Sequence, residues 1–246
     1  MFARLPRLSK KKQDQILKCF VQGKIALITA EDVGVHRNSV NKYYRHYREL
    51  IMERTSKAPR FAGEVEMDQA FFGRGAKART RERKAIDSGY GDWRPPRGLR
   101  RKIARRKKMN VMVFGIIRRE GDVYTKIIEK ANRDTLFPII HLVVDPGTTI
   151  YTDQWAGFNE LKISGYVHKA VNHSVRRRTV DGVHTHNIDR FWGYAKGYIS
   201  RFKGVSRHVY PLYLKEAEFR YNHRKDDLLR IMRNLVTQNY LQGKGL

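Results

Sequence analysis

The chain has 246 residues, enough for one large domain or two small ones, and its 41% hydrophobic content can build a packed core. Lys and Arg number 51 against 24 Asp and Glu, a formal charge of +27, and an excess of that size points to a polyanionic partner, nucleic acid ahead of an anionic membrane surface. No stretch approaches the roughly 18 to 20 apolar residues of a bilayer span. The N-terminal MFARLPRLSKKKQDQ has no apolar signal core, and the lone Cys19 excludes an intramolecular disulfide and a Cys-based zinc ribbon. A cytoplasmic chain is expected, or a nuclear one in a eukaryote.

Ile16, Leu17, Phe20 and Val21 recur at helical spacing and predict a helix over Lys10–Val21, with Cys19 as a core residue. Gly23 ends it. IALITAEDVGV is a short amphipathic stretch closing at Gly34, and HRNSVNKYYRHYRELI predicts a further helix starting near Asn38 or Ser39, both good N-caps. Helix, glycine turn, then a helix with a polar, basic start is the helix-turn-helix pattern, which would aim Arg37, Asn38, Ser39, Asn41 and Lys42 at a major groove. An ordinary helical hairpin fits the same spacing. SKAPRFAG reads as a linker, so residues 1–60 are expected to form an all-α domain and residues 61–246 a second one.

GEVEMDQAFFG alternates as a strand does, with Glu64, Glu66 and Asp68 on one face and Val65, Met67 and Gln69 on the other. An exposed strand face would account for Glu64 and Glu66. Residues 74–108 hold 15 Lys and Arg against 3 acids, with Gly and Pro among them, and read as a long basic insertion. Arg100, Arg101, Lys102, Arg105 and Arg106 there would contact DNA phosphate, with Tyr90 and Trp93 for stacking; a solvated charge run is the alternative. Next come a strand in NVMVFGIIRR, a turn, a strand in VYTKIIE and a helix in ANRDTLFPIIHLVV starting near Asn132. TTIYT is a short strand followed by Asp153. HTHNIDRFWGYAKGYISRFKG and YPLYLKEAEFRYNHR are helices, the first with Ile188, Phe191, Trp192 and Ala195 on its apolar side. The class is α/β, a mixed sheet flanked by helices behind an all-α N-terminus. RNase H-like order is one of several that such a pattern allows.

Asp68 closes the first strand, Asp153 follows a later one, and Asp189 lies on a helix with 35 residues between it and Asp153. Hydrolysis of a phosphodiester needs an activated water and a stabilised leaving oxygen, which two divalent ions roughly 4 Å apart supply. Mg²⁺ takes hard oxygen ligands, with Mn²⁺ as a substitute, so these three acids are candidate metal ligands. Lys196, seven residues beyond Asp189 and so about two turns on, would contact phosphate. His184, Asn187 and Glu66 stand where they could support the ligands, and Arg176, Arg177 and Arg178 form a loop cluster suited to the DNA backbone. A zinc site among His168, His173, His184 and His186 is a weaker reading.

These motifs resemble the short bacterial insertion-sequence transposases of the DDE superfamily, in the branch related to the eukaryotic Merlin elements. GEVEMDQAFFG is similar to the family's first acidic strand, IYTDQWAGF to its second motif, HTHNIDRFWGYAKGYISRFKGV to its third and YLKEAEFRYNHR to its closing helix. The resemblance implies an RNase H-like core, catalytic Asp68, Asp153 and Asp189, and a basic residue at Lys196. It also implies two Mg²⁺ ions, binding of terminal inverted repeats and target DNA, a dimer or larger assembly, and no small-molecule substrate. The third position of relatives is usually Glu, or in some branches Asn, where this chain has Asp189, and an acid often follows the first Asp, where this chain has Gln69. A catalytically decayed, DNA-binding derivative is the alternative; a junction resolvase or an unrelated transcription regulator would leave the helix-turn-helix or the three acids unexplained.

Overall fold

The computed structural model describes residues 5–73, 111–119, 121–153, 165–171, 184–203 and 205–241, without the side chains at 153 and 171. The basic insertion with Arg100, Arg101, Lys102, Arg105 and Arg106, the Arg176, Arg177 and Arg178 cluster, and His173 lie outside them. Seven helices and five strands are formed among the described residues. The chain divides into two compact units, 59–192 and the combination of 1–58 with 193–246.

In the first of these, β1 (Glu64–Phe72) pairs antiparallel with β2 (Val111–Arg118), and β2 antiparallel with β3 (Val123–Ile128). On its other side β1 runs parallel to β4 (Thr149–Asp153), and β4 parallel to β5 (Val167–Val171). The order β3-β2-β1-β4-β5 is the RNase H-like topology, selected from the several that strand order alone allowed. The central strand is covered on both faces: Val65, Glu66 and Met67 are all 0% exposed. An exposed strand face for Glu66 is therefore corrected, since the alternation reports two buried environments. Helix α4 (Arg133–Val143) starts where Asn132 accepts the N–H of Thr135, and it buries Leu136, Phe137, Ile140 and Val143. Arg60 pairs with Asp145 and donates to the carbonyl of His141, tying the start of this unit to the end of α4. Helix α5 (His186–Ser200) begins here and crosses the division after Trp192.

The second unit is helical. Helices α1 (Lys10–Val21), α2 (Ala26–Val33) and α3 (Arg37–Arg54) share a core with α6 (Tyr210–Asn222) and α7 (Leu228–Leu241). Ile16, Leu17 and Phe20 meet Val40, Tyr44 and Tyr47, and Phe219 and Met232 complete the cluster. Gly34 ends α2 at φ 63°, a left-handed conformation that a residue with a Cβ adopts at a cost. Helix α3 starts at Arg37, earlier than Asn38 or Ser39, because the His36 ring nitrogen Nδ1 accepts the N–H of Asn38 and serves as the cap. Among the described residues no helix is long and apolar enough to cross a membrane.

One buried carboxylate organises this unit. Glu216, 0% exposed on α6, accepts from Arg48 Nε of α3 at 2.7 Å, from Arg220 Nε at 3.0 Å and from the Tyr198 hydroxyl. Arg220 also donates to the carbonyls of Phe20 and Val21, which end α1. Burial works to raise the Glu216 carboxyl, and the Arg48 and Arg220 guanidiniums with the Tyr198 hydroxyl outweigh it, holding the group below the ordinary carboxylate range. A folded pKa depressed below the unfolded 4.5 adds stability above pH 4.5, which is lost as pH falls through the folded value. Glu216→Ala strands two buried guanidiniums and is expected to cost about 3–5 kcal/mol in urea unfolding. Glu216→Gln should flatten the acid limb of the stability profile; a limb unchanged in that variant would assign it to other carboxylates.

Candidate active site

The site forms around β1. In the parallel β1–β4 pair, Glu64, Val65 and Glu66 face Thr149, Ile150 and Tyr151, and Asp68 and Asp153 each follow two residues after this paired stretch, on adjacent strands. Asp153 ends β4, but Asp68 stands in the middle of β1, which runs on to Phe72 paired with β2, so the expectation that Asp68 closes its strand is corrected. Asp68 is half-buried, and one of its carboxylate oxygens, Oδ2, accepts the indole N–H of Trp192 at 2.9 Å. Trp192 is on α5, three residues after the exposed Asp189 and therefore on the same helical face. Lys196, also exposed, is two turns beyond Asp189 along α5, in the part of the helix belonging to the other unit.

The antiparallel partner of Asp68 on β2 is Gly115. A Cβ there would lie 2.6 Å from two carbons of the Trp192 ring and 3.1 Å from Ile188 Cδ1, so the helix approaches the sheet to a distance that only glycine permits. Phe72 meets the Trp192 ring edge-on at 5.7 Å.

Glu66 holds the start of α5. Its Oε2 accepts the backbone N–H groups of Asn187 and Ile188 at 2.8 and 3.0 Å, and its Oε1 accepts the Asn187 side-chain amide at 2.8 Å. Arg119 Nε and His184 Nδ1 lie 3.3 and 3.5 Å from the same carboxylate. Arg119 also donates to Glu64 and to the carbonyl of His184, and its guanidinium lies 3.7 Å from the centre of the Tyr151 ring. The Tyr151 hydroxyl, aided by the Arg119 charge, holds the Glu64 carboxyl below its ordinary range. Burial and the Arg119 charge push the His184 imidazole down from 6.5, which favours the neutral ring at neutral pH. His168 is engaged by Thr152 at 2.8 Å, and His184 stacks on His186. Among the described residues, which leave out His173 and the Asp153 side chain, no group of three His, Cys, Asp or Glu side chains that could hold a metal ion is found. On α3, Arg37, Asn38, Asn41 and Lys42 are exposed and Ser39 is half-buried.

Residues 60–222 match the family model for the ISXO2-like transposase domain. The chain belongs to that transposase family. An uncharacterized transposase-like protein of Haemophilus influenzae is 32% identical over 115 residues, 46% of this chain and 93% of its own length. Two solved structures show distant likenesses. One is the simian T-cell lymphotropic virus intasome in complex with the PP2A regulatory subunit B56 gamma, with a TM-score of 0.38 and 12% identity, covering 68% of this chain and 50% of that one. The other is the Mos1 transposase paired-end complex with the left transposon end, with a TM-score of 0.27 and 10% identity, covering 96% and 81%.

Sequence reasoning read Trp192 as core and gave no role to Arg119, Tyr151 or Gly115. Trp192 is indeed buried, 4% exposed, but its N–H is spent on an acid of the transposase's candidate centre. The available signal was Gly115, an isolated glycine in an apolar strand, which marks a close approach. Gly115→Ala should destabilise the protein by about 1–3 kcal/mol through overpacking. Gly193→Ala on α5, where nothing lies within 4 Å, should stabilise it, by about 0.5–1 kcal/mol. Urea midpoints of the two variants test this pair; a neutral Gly115→Ala would show that α5 is not tightly docked.

Proposed function

We propose that the chain is a metal-dependent DNA transposase that binds the terminal inverted repeats of its element, hydrolyses a phosphodiester at each end and transfers the exposed 3′-hydroxyl to target DNA. The observation that supports this reading is the parallel β1–β4 pairing, after which Asp68 and Asp153 each follow by two residues on adjacent strands, with Asp189 one turn before the tryptophan bonded to Asp68. The donor set is oxygen only, Asp68, Asp153 and Asp189, which suits Mg²⁺ and, in its place, Mn²⁺. Two ions bound there supply activation of the attacking oxygen and stabilisation of the leaving one. Lys196 on the same helix neutralises a DNA phosphate. Glu66, Asn187 and His184 hold the helix that presents Asp189.

Residues 1–60 act as the end-reading helix-turn-helix, with Arg37, Asn38, Ser39, Asn41 and Lys42 toward the groove, and residues 61–246 carry the chemistry. Arg100, Arg101, Lys102, Arg105 and Arg106 of the insertion and Arg176, Arg177 and Arg178 add phosphate contacts, which a charge of +27 favours. A dimer or larger assembly holds the two element ends, in the cytoplasm on the nucleoid. The second reading, a decayed DNA-binding derivative, is favoured by one observation: Asp189 is a methylene shorter than the usual Glu.

A strand-transfer assay on a labelled element-end duplex decides between them. Joining that depends on Mg²⁺, falls at least about 100-fold in Asp189→Ala and survives in Asp189→Glu is the expected result, with Asp68→Asn and Asp153→Asn inactive yet still binding DNA. Specific binding without cleavage in the wild type, and cleavage gained by Asp189→Glu, would mean a disabled enzyme.

A further inference from the structure

We infer that Trp192 is the positioning residue of this centre: its indole N–H holds the Asp68 carboxylate in place relative to Asp189. The inference rests on the reading of Asp68 as a metal-holding acid. An indole N–H is a donor only, so once buried it must find an acceptor, and a tryptophan kept merely to fill space would be served as well by phenylalanine. Here the acceptor is Asp68 Oδ2 at 2.9 Å, and the ring lies in the space left by Gly115, the residue directly opposite Asp68.

The two acids of one β1 face do different work. Glu66 is fully buried and taken up by Asn187, Ile188, Arg119 and His184, so it is a helix anchor and not a ligand. Asp68, two residues on, is half-buried and meets the helix a second time. Two strand residues advance about 6.6 Å, while the four to five helical residues from Asn187 and Ile188 to Trp192 advance about 6–7.5 Å. The steps match, so α5 satisfies both carboxylates at once. Any slide of the helix that misplaces Asp189 also breaks the bond to Asp68.

The test uses the full chain, which has three tryptophans, Trp93, Trp155 and Trp192. In ¹⁵N-labelled protein the Trp192 indole N–H resonance is assigned by its loss in Trp192→Phe. Titration with Mg²⁺ should shift it saturably in the wild type and leave it still in Asp68→Asn. Trp192→Phe, which keeps the ring, should melt close to the wild type yet need about tenfold more Mg²⁺ for end cleavage, with the rate recovered at saturating metal. A Trp192 resonance indifferent to Mg²⁺, while Asp68→Asn still abolishes cleavage, would overturn the role of Trp192 alone. Cleavage lost in Trp192→Phe at every Mg²⁺ concentration with a lowered melting temperature would make the residue a core filler. Wild-type cleavage in Asp68→Asn would instead bring down the reading of the metal centre itself.

Discussion

A carboxylate buried in the middle of a sheet costs several kcal/mol unless donors surround it, and Glu66 is 0% exposed on the central strand. The donors it finds are not its sheet neighbours but the first amides of α5 and the Asn187 side-chain amide, with the Arg119 charge beside them. The need is mutual. The first four N–H groups of a helix have no partner within the helix, and its N-terminus favours negative charge. Elsewhere in the chain a local residue does this work, Ser9 for α1, His36 for α3 and Asn132 for α4. At α5 the acceptor comes from 121 residues earlier, so capping the helix and docking it on β1 are one event. Asp189 and Trp192, in the part of α5 that belongs to the same unit as the sheet, inherit their place from that contact.

The helical unit repeats the device with its sign reversed at the helix end. Glu216 gathers Arg48, 168 residues away, and Arg220, and Arg220 then serves the terminal carbonyls of α1, where a cation is favoured. Acids are the scarce charge in this chain, 24 against 51 bases. Placing Glu66 and Glu216 inside, each beside a guanidinium, relieves repulsion at points where distant segments must meet. The excess of positive charge is left for the surface and for DNA.

Periodicity revealed much of the fold and little of the site. Helix α1 forms over the residues its apolar spacing predicts, and β2, β3 and α4 fall within the segments read for them. These elements bury one face against neighbours, which is what a repeat of 2 or 3.6 records. Strand β5, VHKAV, was not anticipated, because an edge strand of five residues carrying His168 and Lys169 has no apolar alternation to betray it. Nor was α7, nor its sharing a core with the N-terminal helices, which depends on contacts such as Met232 with a cluster more than 180 residues earlier. Asp68 was expected at a strand end and lies mid-strand, and its place on the strand next to that of Asp153 is a matter of register, which no local pattern encodes. For Glu66 two readings stayed open, support for the ligands and an exposed face, because alternation cannot tell a solvent face from a face covered by a distant helix.

The departure at Asp189 bears on the same geometry. A helix free to slide could make up for a missing methylene, about 1.5 Å of reach. Helix α5 is not free in that way, pinned by Glu66 at its start and by the Trp192 bond to Asp68 one turn and more further on. What varies instead is the distance from helix to sheet, and Gly115 sets that distance short, since any side chain there would meet the Trp192 ring at 2.6 Å. A helix docked that closely needs less reach from the acid it presents. On the proposed reading of Asp189 as the third acid, a glycine on β2 and a shortened acid on α5 are therefore compatible parts of one arrangement.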